Sequence, residues 1–142
     1  RQRQMCIRDR DKSTVQARAA RADLANYDKD LELYPEYTDA WVRKGVTLFN
    51  ENQYQKAEEC LNRAVRLRPA EFKTVYNRGK LRLKLGNIEG AIADLDKATT
   101  LKPEHAGAHE LFGDALMQAG KEVEAALQWR LAEELRKKRS SK

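Results

Sequence analysis

The sequence predicts an all-α chain built as a solenoid of antiparallel helix hairpins. Three observations carry that expectation: proline spacing, apolar spacing, and columns of small residues in phase with both. The 142-residue chain holds three prolines, Pro35, Pro69 and Pro103, in the phrases LYPEY, LRPAE and LKPEH, 34 residues apart. On the same ruler Gly45, Gly79 and Gly113 align, as do Ala57, Ala91 and Ala125, and Ala64, Ala98 and Ala132. Tyr27, Leu61, Leu95 and Trp129 form a large apolar column. Within each period apolar residues recur at spacings of three and four, the pattern of one buried helix face.

The first ten residues, RQRQMCIRDR, show no such periodicity. Met5–Arg10 resembles the translation of ATG TGT ATA AGA GAC AG, the end of a transposase adapter used in library preparation. Residues 1–10 are therefore expected to be an adapter scar without ordered structure, with coding sequence continuing upstream. Residues 14–37 read as the second helix of a further hairpin. Three full hairpins are expected over 38–71, 72–105 and 106–139, the last helix running on, with 140–142 as a tail. In each, a first helix such as DAWVRKGVTLFN is followed by a second such as YQKAEECLNRAVRL. Gly86 and Gly120 should end first helices in the left-handed conformation, with Asn52 in that role in the first hairpin. Each proline should stop a second helix, because it lacks an amide donor and disfavours helix in the residue before it. The aligned glycines call for close approach of paired helices, with Gly45, Gly79 and Gly113 expected opposite Ala57, Ala91 and Ala125. The column Leu31, Val65, Thr99, Glu133 turns polar toward the C-terminus, as a last unit with nothing stacked on it requires.

These phrases resemble the tetratricopeptide repeat family, whose pattern is W-x2-L-G-x2-Y, then A-x3-F, then P. Trp41, Gly45, Leu48, Ala57, Leu61 and Pro69 fill it in the first hairpin. Val75, Gly79, Ala91, Leu95 and Pro103 fill it in the second, and His109, Phe112, Gly113, Leu116, Ala125 and Trp129 in the third. Lys44 and Arg78 stand where the pattern has Leu, Arg82 where it has Tyr, and Lys137 replaces the third proline. The resemblance implies a right-handed superhelical solenoid whose first helices line a concave groove.

Composition narrows the function. With 41% hydrophobic and 35% charged residues, the chain suits an exposed helical protein. It has no apolar run of the roughly 18 residues a membrane span needs. Its net charge of +6 is concentrated at the ends, with +3 in residues 1–10 and +5 from Arg136 to Lys142, leaving −2 between them. A basic pI therefore gives no reason to expect nucleic acid as partner. Cys60 is the single cysteine beyond residue 10, so no internal disulfide forms and redox usage names no compartment; the cytoplasm is the default. His105 and His109 have a metal-compatible spacing but no third ligand nearby, and they read as a surface and a packing histidine. Adjacent carboxylates such as Glu58 and Glu59 do not face each other on a helix, and no nucleophile–base–acid set occurs. The chain reads as non-catalytic, without cofactor or metal.

What remains is the groove that the resemblance implies. Its candidate contact residues are Arg43 and Asn50, then Lys73, Tyr76, Asn77, Lys80 and Lys84, then Glu110 and Asp114. Lys73, Asn77, Lys80 and Lys84 recur at i, i+4, i+7 and i+11, one helical stripe. Eight basic residues against one acid between Arg63 and Lys84 favour an acidic partner segment. The carboxylate clamp of chaperone-binding family members is not expected. With Asn77 as its central amide, Val42, Val46, Gly107 and Leu111 stand where its charged and amide residues should be. The expected role is a protein- or peptide-binding scaffold. The alternative is a docking region of a larger protein with an upstream catalytic domain. RNA or anionic lipid is a third, weaker reading, because aromatic residues for base stacking are few. An uncovered N-terminal helix is also expected to self-associate.

Overall fold

The computed structural model describes the backbone of residues 2–142 and the side chains of residues 15–142. Among the described residues seven helices follow one another: α1 (Gln2–Leu33), α2 (Thr38–Asn50), α3 (Tyr54–Leu67), α4 (Phe72–Leu85), α5 (Ile88–Leu101), α6 (Ala106–Gln118) and α7 (Glu122–Ser140). No strand occurs among the described residues. The pairs α2–α3, α4–α5 and α6–α7 are hairpins that stack in sequence, and among the described residues α1 packs on α2. Apart from Arg1, the first ten residues, expected to lack order, have helical backbone continuous with α1. Once a helix is anchored, each added residue gains one hydrogen bond, and Arg, Gln and Met propagate it well. The side chains of the adapter-like Met5–Arg10 lie outside the described residues.

Helix ends follow local chemistry. Asn52, Gly86 and Gly120 take φ of 62°, 83° and 80° after the first helices, where a left-handed residue turns the chain. Arg68 and Lys102, each preceding a proline, take extended φ of −138° and −133° and end α3 and α5. With Lys137 in place of proline, α7 runs on for 19 residues, against 14 in α3 and α5. The Asn87 side chain accepts from Gly90 N at 3.2 Å and caps α5.

The seam of each hairpin adds a large side chain to the expected glycine–alanine approach, in which a Cβ on Gly45 would meet Ala57 O at 3.4 Å and one on Gly113 Ala125 O at 3.1 Å. A Cβ on Gly45 would lie 2.8 Å from Leu61 Cγ, one on Gly79 3.0 Å from Leu95 Cγ, and one on Gly113 2.5 Å from the Trp129 ring. The glycines therefore take the large apolar column against their bare backbone as well, and the alanines, fully buried, let the backbones approach. Side chains lean toward the helix N-terminus, so the leucine or tryptophan four residues on fills the space above the glycine. On α1 the same columns carry Asp23, Tyr27 and Asp30, with both carboxylates exposed.

Between hairpins the seam is partly ionic. Lys44 Nζ reaches Asp28 on α1 at 2.7 Å. One period later Arg78 reaches Asn62 on α3 at 3.2 Å and, within its own hairpin, grips Asp94 on α5 through two bonds of 2.9 and 2.8 Å. Arg82 adds a third bond to Asp94 at 3.2 Å and lies 3.7 Å from Glu58. Asp94 is only 4% exposed, so this arginine pair holds a buried carboxylate. In the third hairpin Phe112 takes the position of Lys44 and Arg78, and that junction is apolar.

Two stability outcomes follow from these contacts. Gly113→Ala gains up to about 1 kcal/mol of helix propensity but drives a methyl into the indole, so a net loss of about 1–2 kcal/mol is expected in urea unfolding. A raised midpoint would mean the indole yields freely. Asp94→Ala is expected to cost about 3 kcal/mol by leaving buried guanidinium charge, and adding Arg78→Leu should recover part of it.

Candidate binding groove

The first helices α2, α4 and α6 lie side by side. Their C-terminal halves enclose an open cavity of about 830 Å³. Phe49, Leu83 and Leu111 give it an apolar floor, and Asn50, Lys80 and Lys84 are among its polar lining. The Lys80 ammonium lies 5.8 Å from the centre of the Phe49 ring, so its cation sits at the apolar surface. Tyr54, at the start of α3, closes one side, edge-on to Phe49 at 5.5 Å and donating to Asn52 Oδ1 at 2.8 Å. Sequence reasoning passed over Tyr54 because it opens a second helix, outside the columns the resemblance assigns to the groove.

The other candidates divide into three groups. Lys73 is exposed on the same stripe, nearer the start of α4. Asn77 donates its amide to Lys73 O at 2.8 Å, which leaves its Oδ1 as the acceptor for a partner. Tyr76 stacks on Phe72 at 5.1 Å and meets His105 at 5.2 Å, a three-ring cluster with Lys102 Nζ 4.9 Å from the Phe72 ring centre. Burial, with Glu110 adding to it, pushes the Tyr76 phenol above its usual value. The cluster explains Gly107 as well: a Cβ there would lie 3.3 Å from the Tyr76 hydroxyl.

Arg43, Glu110 and Asp114 are occupied within the chain. Arg43 pairs with Asp39 one turn earlier at 2.9 Å. Glu110 pairs with Arg136 on the extended part of α7. Asp114 accepts from Trp129 Nε1 at 3.0 Å, tying α6 to α7. Of the nine candidates, the cavity thus gathers Asn50, Lys80 and Lys84. Arg78 and Arg82, counted in the basic segment, point their charge at Asp94 instead.

The histidines serve the fold. His105 caps α6, its Nδ1 accepting from Ala108 N at 3.1 Å. His109 is buried in the Trp41 column, with Nε2 2.7 Å from Pro103 O. Trp41 Nε1 donates to Pro35 O at 2.9 Å in the same way, so imidazole substitutes for indole in one hydrogen bond. The other His109 nitrogen lies 2.7 Å from the Gln128 side-chain oxygen. Among the described residues no group of three or more His, Cys, Asp or Glu could hold a metal, and no helix is long and apolar enough to cross a membrane.

Helical hairpins stacked on a 34-residue period, with glycine, alanine and proline in register, are what one family builds. Its profiles, described as tetratricopeptide repeat, match residues 45–112 and 15–72 and together span 15–112. The chain belongs to the tetratricopeptide repeat family. It is 36% identical over 75 residues to human FK506-binding protein-like, a match covering 53% of this chain and 21% of that protein. It is 29% identical over 93 residues to BBSome complex member BBS4 of Xenopus tropicalis, covering 66% of this chain and 18% of that one. The chain therefore spans about a fifth of the length of these curated relatives. Among solved structures, MamA from Desulfovibrio magneticus RS-1 superposes with a TM-score of 0.78 at 26% identity, covering 87% of this chain and 70% of that one. YrrB, described as a TPR protein with an unusual peptide-binding site, gives 0.76 at 25% identity, covering 87% and 64%. The fold is that of a tetratricopeptide repeat solenoid, a protein-interaction scaffold.

On the opposite side of α2 and α3, Cys60 lies among Trp41, Lys44 and Arg63. Burial pushes its thiol above the usual value, with Lys44 opposing. In a Cys6→Ser chain, the remaining thiol is expected to react with a disulfide reagent at least about tenfold more slowly when folded than in urea. Equal rates would place Cys60 at an open surface.

Proposed function

We propose that this chain is a non-catalytic scaffold whose groove takes an extended or helical partner segment bearing acidic and apolar residues. The observation that carries this reading is the cavity between α2, α4 and α6, where an apolar floor meets the Lys80 and Lys84 ammoniums. An apolar side chain would enter over Phe49 and Leu83, and neighbouring carboxylates would meet the lysine stripe, including Lys73. The Asn77 Oδ1 would accept from the partner's backbone. The peptide-binding site named for YrrB lends support from a protein of similar fold. Arg43, Glu110 and Asp114, already paired within the chain, lie outside the cavity lining and contact the partner less directly in this reading.

A larger-protein reading has one observation in its favour, the small share of each curated relative that the chain covers. In that case the array docks partners for a domain encoded upstream. The uninterrupted upstream reading frame of the gene would show whether residues 1–10 are an adapter scar and whether 14–37 completes a hairpin. We take the repeat units as 38–71, 72–105 and 106–139.

The test is fluorescence anisotropy with labelled peptides alternating Glu and Leu, against a Lys–Leu control. Lys73→Glu, Lys80→Glu and Lys84→Glu together should weaken the acidic peptide at least about tenfold while the helical circular dichroism stays unchanged. Unchanged affinity would refute the groove assignment. Lysine-dependent binding to single-stranded RNA, with a steep salt dependence and no peptide binding, would replace it with a nucleic-acid reading.

A further inference from the structure

The groove carries its free charge along the axis of α4. Lys80 and Lys84 lie within about 20° of Lys73 around that helix, and all three are exposed. From Lys73 to Lys84 the stripe spans eleven residues, about 16.5 Å along the axis. A segment crossing from α2 to α6 would meet α4 over roughly one helix width, about 10 Å. Placed over the cavity, it would reach Lys80 and Lys84, about 6 Å apart along the axis, and leave Lys73 uncovered.

The apolar surface follows the same line. Tyr76 and Leu83 lie to one side of the stripe, about 60° and 80° around from Lys73, on the flank that faces α6. Tyr76 is half-buried there, with its ring against His105 and its hydroxyl beside Gly107. Leu83 and Leu111 line the cavity together. The two residues are seven apart, about 10.5 Å along the helix. Seven residues are also the interval at which a helix returns a side chain to the same face. A second helix laid along α4 would thus set two of its own residues, seven apart, over Tyr76 and Leu83.

Resting on the groove reading above, we propose that the partner segment binds as an amphipathic acidic helix lying along α4, between α2 and α6. Two apolar residues seven apart anchor it, one over Tyr76 and one in the cavity of Phe49, Leu83 and Leu111. Carboxylates on the adjoining face meet Lys73, Lys80 and Lys84. Neighbouring helix axes pack about 8–10 Å apart, so α2 and α6 leave a trough roughly one helix wide over α4. The first turn of a helix has free backbone N–H groups, and Asn77 Oδ1, one turn from Lys73, is an acceptor for them. Carboxylates in that turn suit both the helix start and the Lys73 ammonium.

Fluorescence anisotropy with alanine-based peptides of 14 residues, the length of α4, tests this. One peptide carries leucines seven apart with glutamates on the adjoining face. It should bind at least about tenfold more tightly than the same peptide with a central proline, which breaks the helix, or with one leucine moved by two residues, which turns it about 200° away. Isotope-labelled, it should show helical carbon shifts when bound. Lys73→Glu alone should weaken it at least about fivefold and leave the alternating Glu–Leu peptide, which needs only the cavity end, within about twofold. Lys73 is exposed, and unchanged circular dichroism would confirm folding. Equal binding of the proline or shifted-leucine peptide, extended carbon shifts in the bound state, or a Lys73→Glu effect that is absent or equal for both peptides would each overturn the helical seating. The groove reading survives those results if the alternating peptide still binds through the lysines. Binding of neither peptide would overturn both.

Discussion

The whole solenoid rests on three positions where a side chain is missing. At Gly45, Gly79 and Gly113 the first helix offers bare backbone, and a large residue from the second helix enters that space. A mid-helix glycine costs about 1 kcal/mol relative to alanine. The cost is offset because it lets Leu61 and Leu95 become almost fully buried and lets the Trp129 indole reach Asp114. Buried apolar area contributes roughly 25 cal/mol per Å², so one large side chain removed from water outweighs the propensity lost. Alanines at 57, 91 and 125 complete the arrangement by keeping the opposing backbone close. Because this contact is local to each hairpin, the hairpins are equivalent units, and stacking them turns three small seams into one continuous core.

Junctions between units are less uniform, and their differences are physical choices among equivalent solutions. Lys44 and Arg78 replace the leucine of the family pattern and reach across to the preceding unit. The second junction is the more elaborate: Arg78 and Arg82, which together hold the buried Asp94 within their own hairpin, also reach back to Asn62 and Glu58 on α3. Anchoring both guanidinium groups on Asp94, a buried charge costly to leave without partners, aims their remaining donors at α3 and so fixes the second unit against the first. At the third junction Phe112 does the same work by packing. The Trp41 and His109 column shows a similar exchange, where indole and imidazole supply a hydrogen bond to the carbonyl of the proline six residues earlier.

What could be read from the sequence was whatever repeats or acts locally. The period, the helix pairs, the left-handed residues and the unbroken last helix all follow from spacing or from the chemistry of one residue and its neighbours. Three things were not legible. The large side chain over each glycine depends on the lean of side chains along a helix, which a column alignment does not contain. The fates of Glu110 and Asp114 depend on residues 26 and 15 positions away on another helix. Tyr54 joins the groove through a turn whose direction is set by Asn52 in the left-handed region. Each of these is a contact between helices whose geometry the spacing of columns alone does not specify.

The charge of α4 shows most clearly why position outranks composition. At about 100° per residue, Lys80 and Lys84 lie within about 20° of Lys73 around the helix, while Arg78 and Arg82 lie about 140° and 180° away. The five cations are therefore sorted into two opposite faces. The lysines project where α2 and α6 leave the groove open, and the arginines project toward α3 and α5, where Asp94 neutralises them. The residue types suit the two environments. Guanidinium forks satisfy a buried carboxylate through several fixed donors, whereas an ammonium on a flexible stem keeps its charge at a wet surface. One helix thereby locks the array together with one face and presents a basic rim with the other, and the two tasks do not compete for the same side chains.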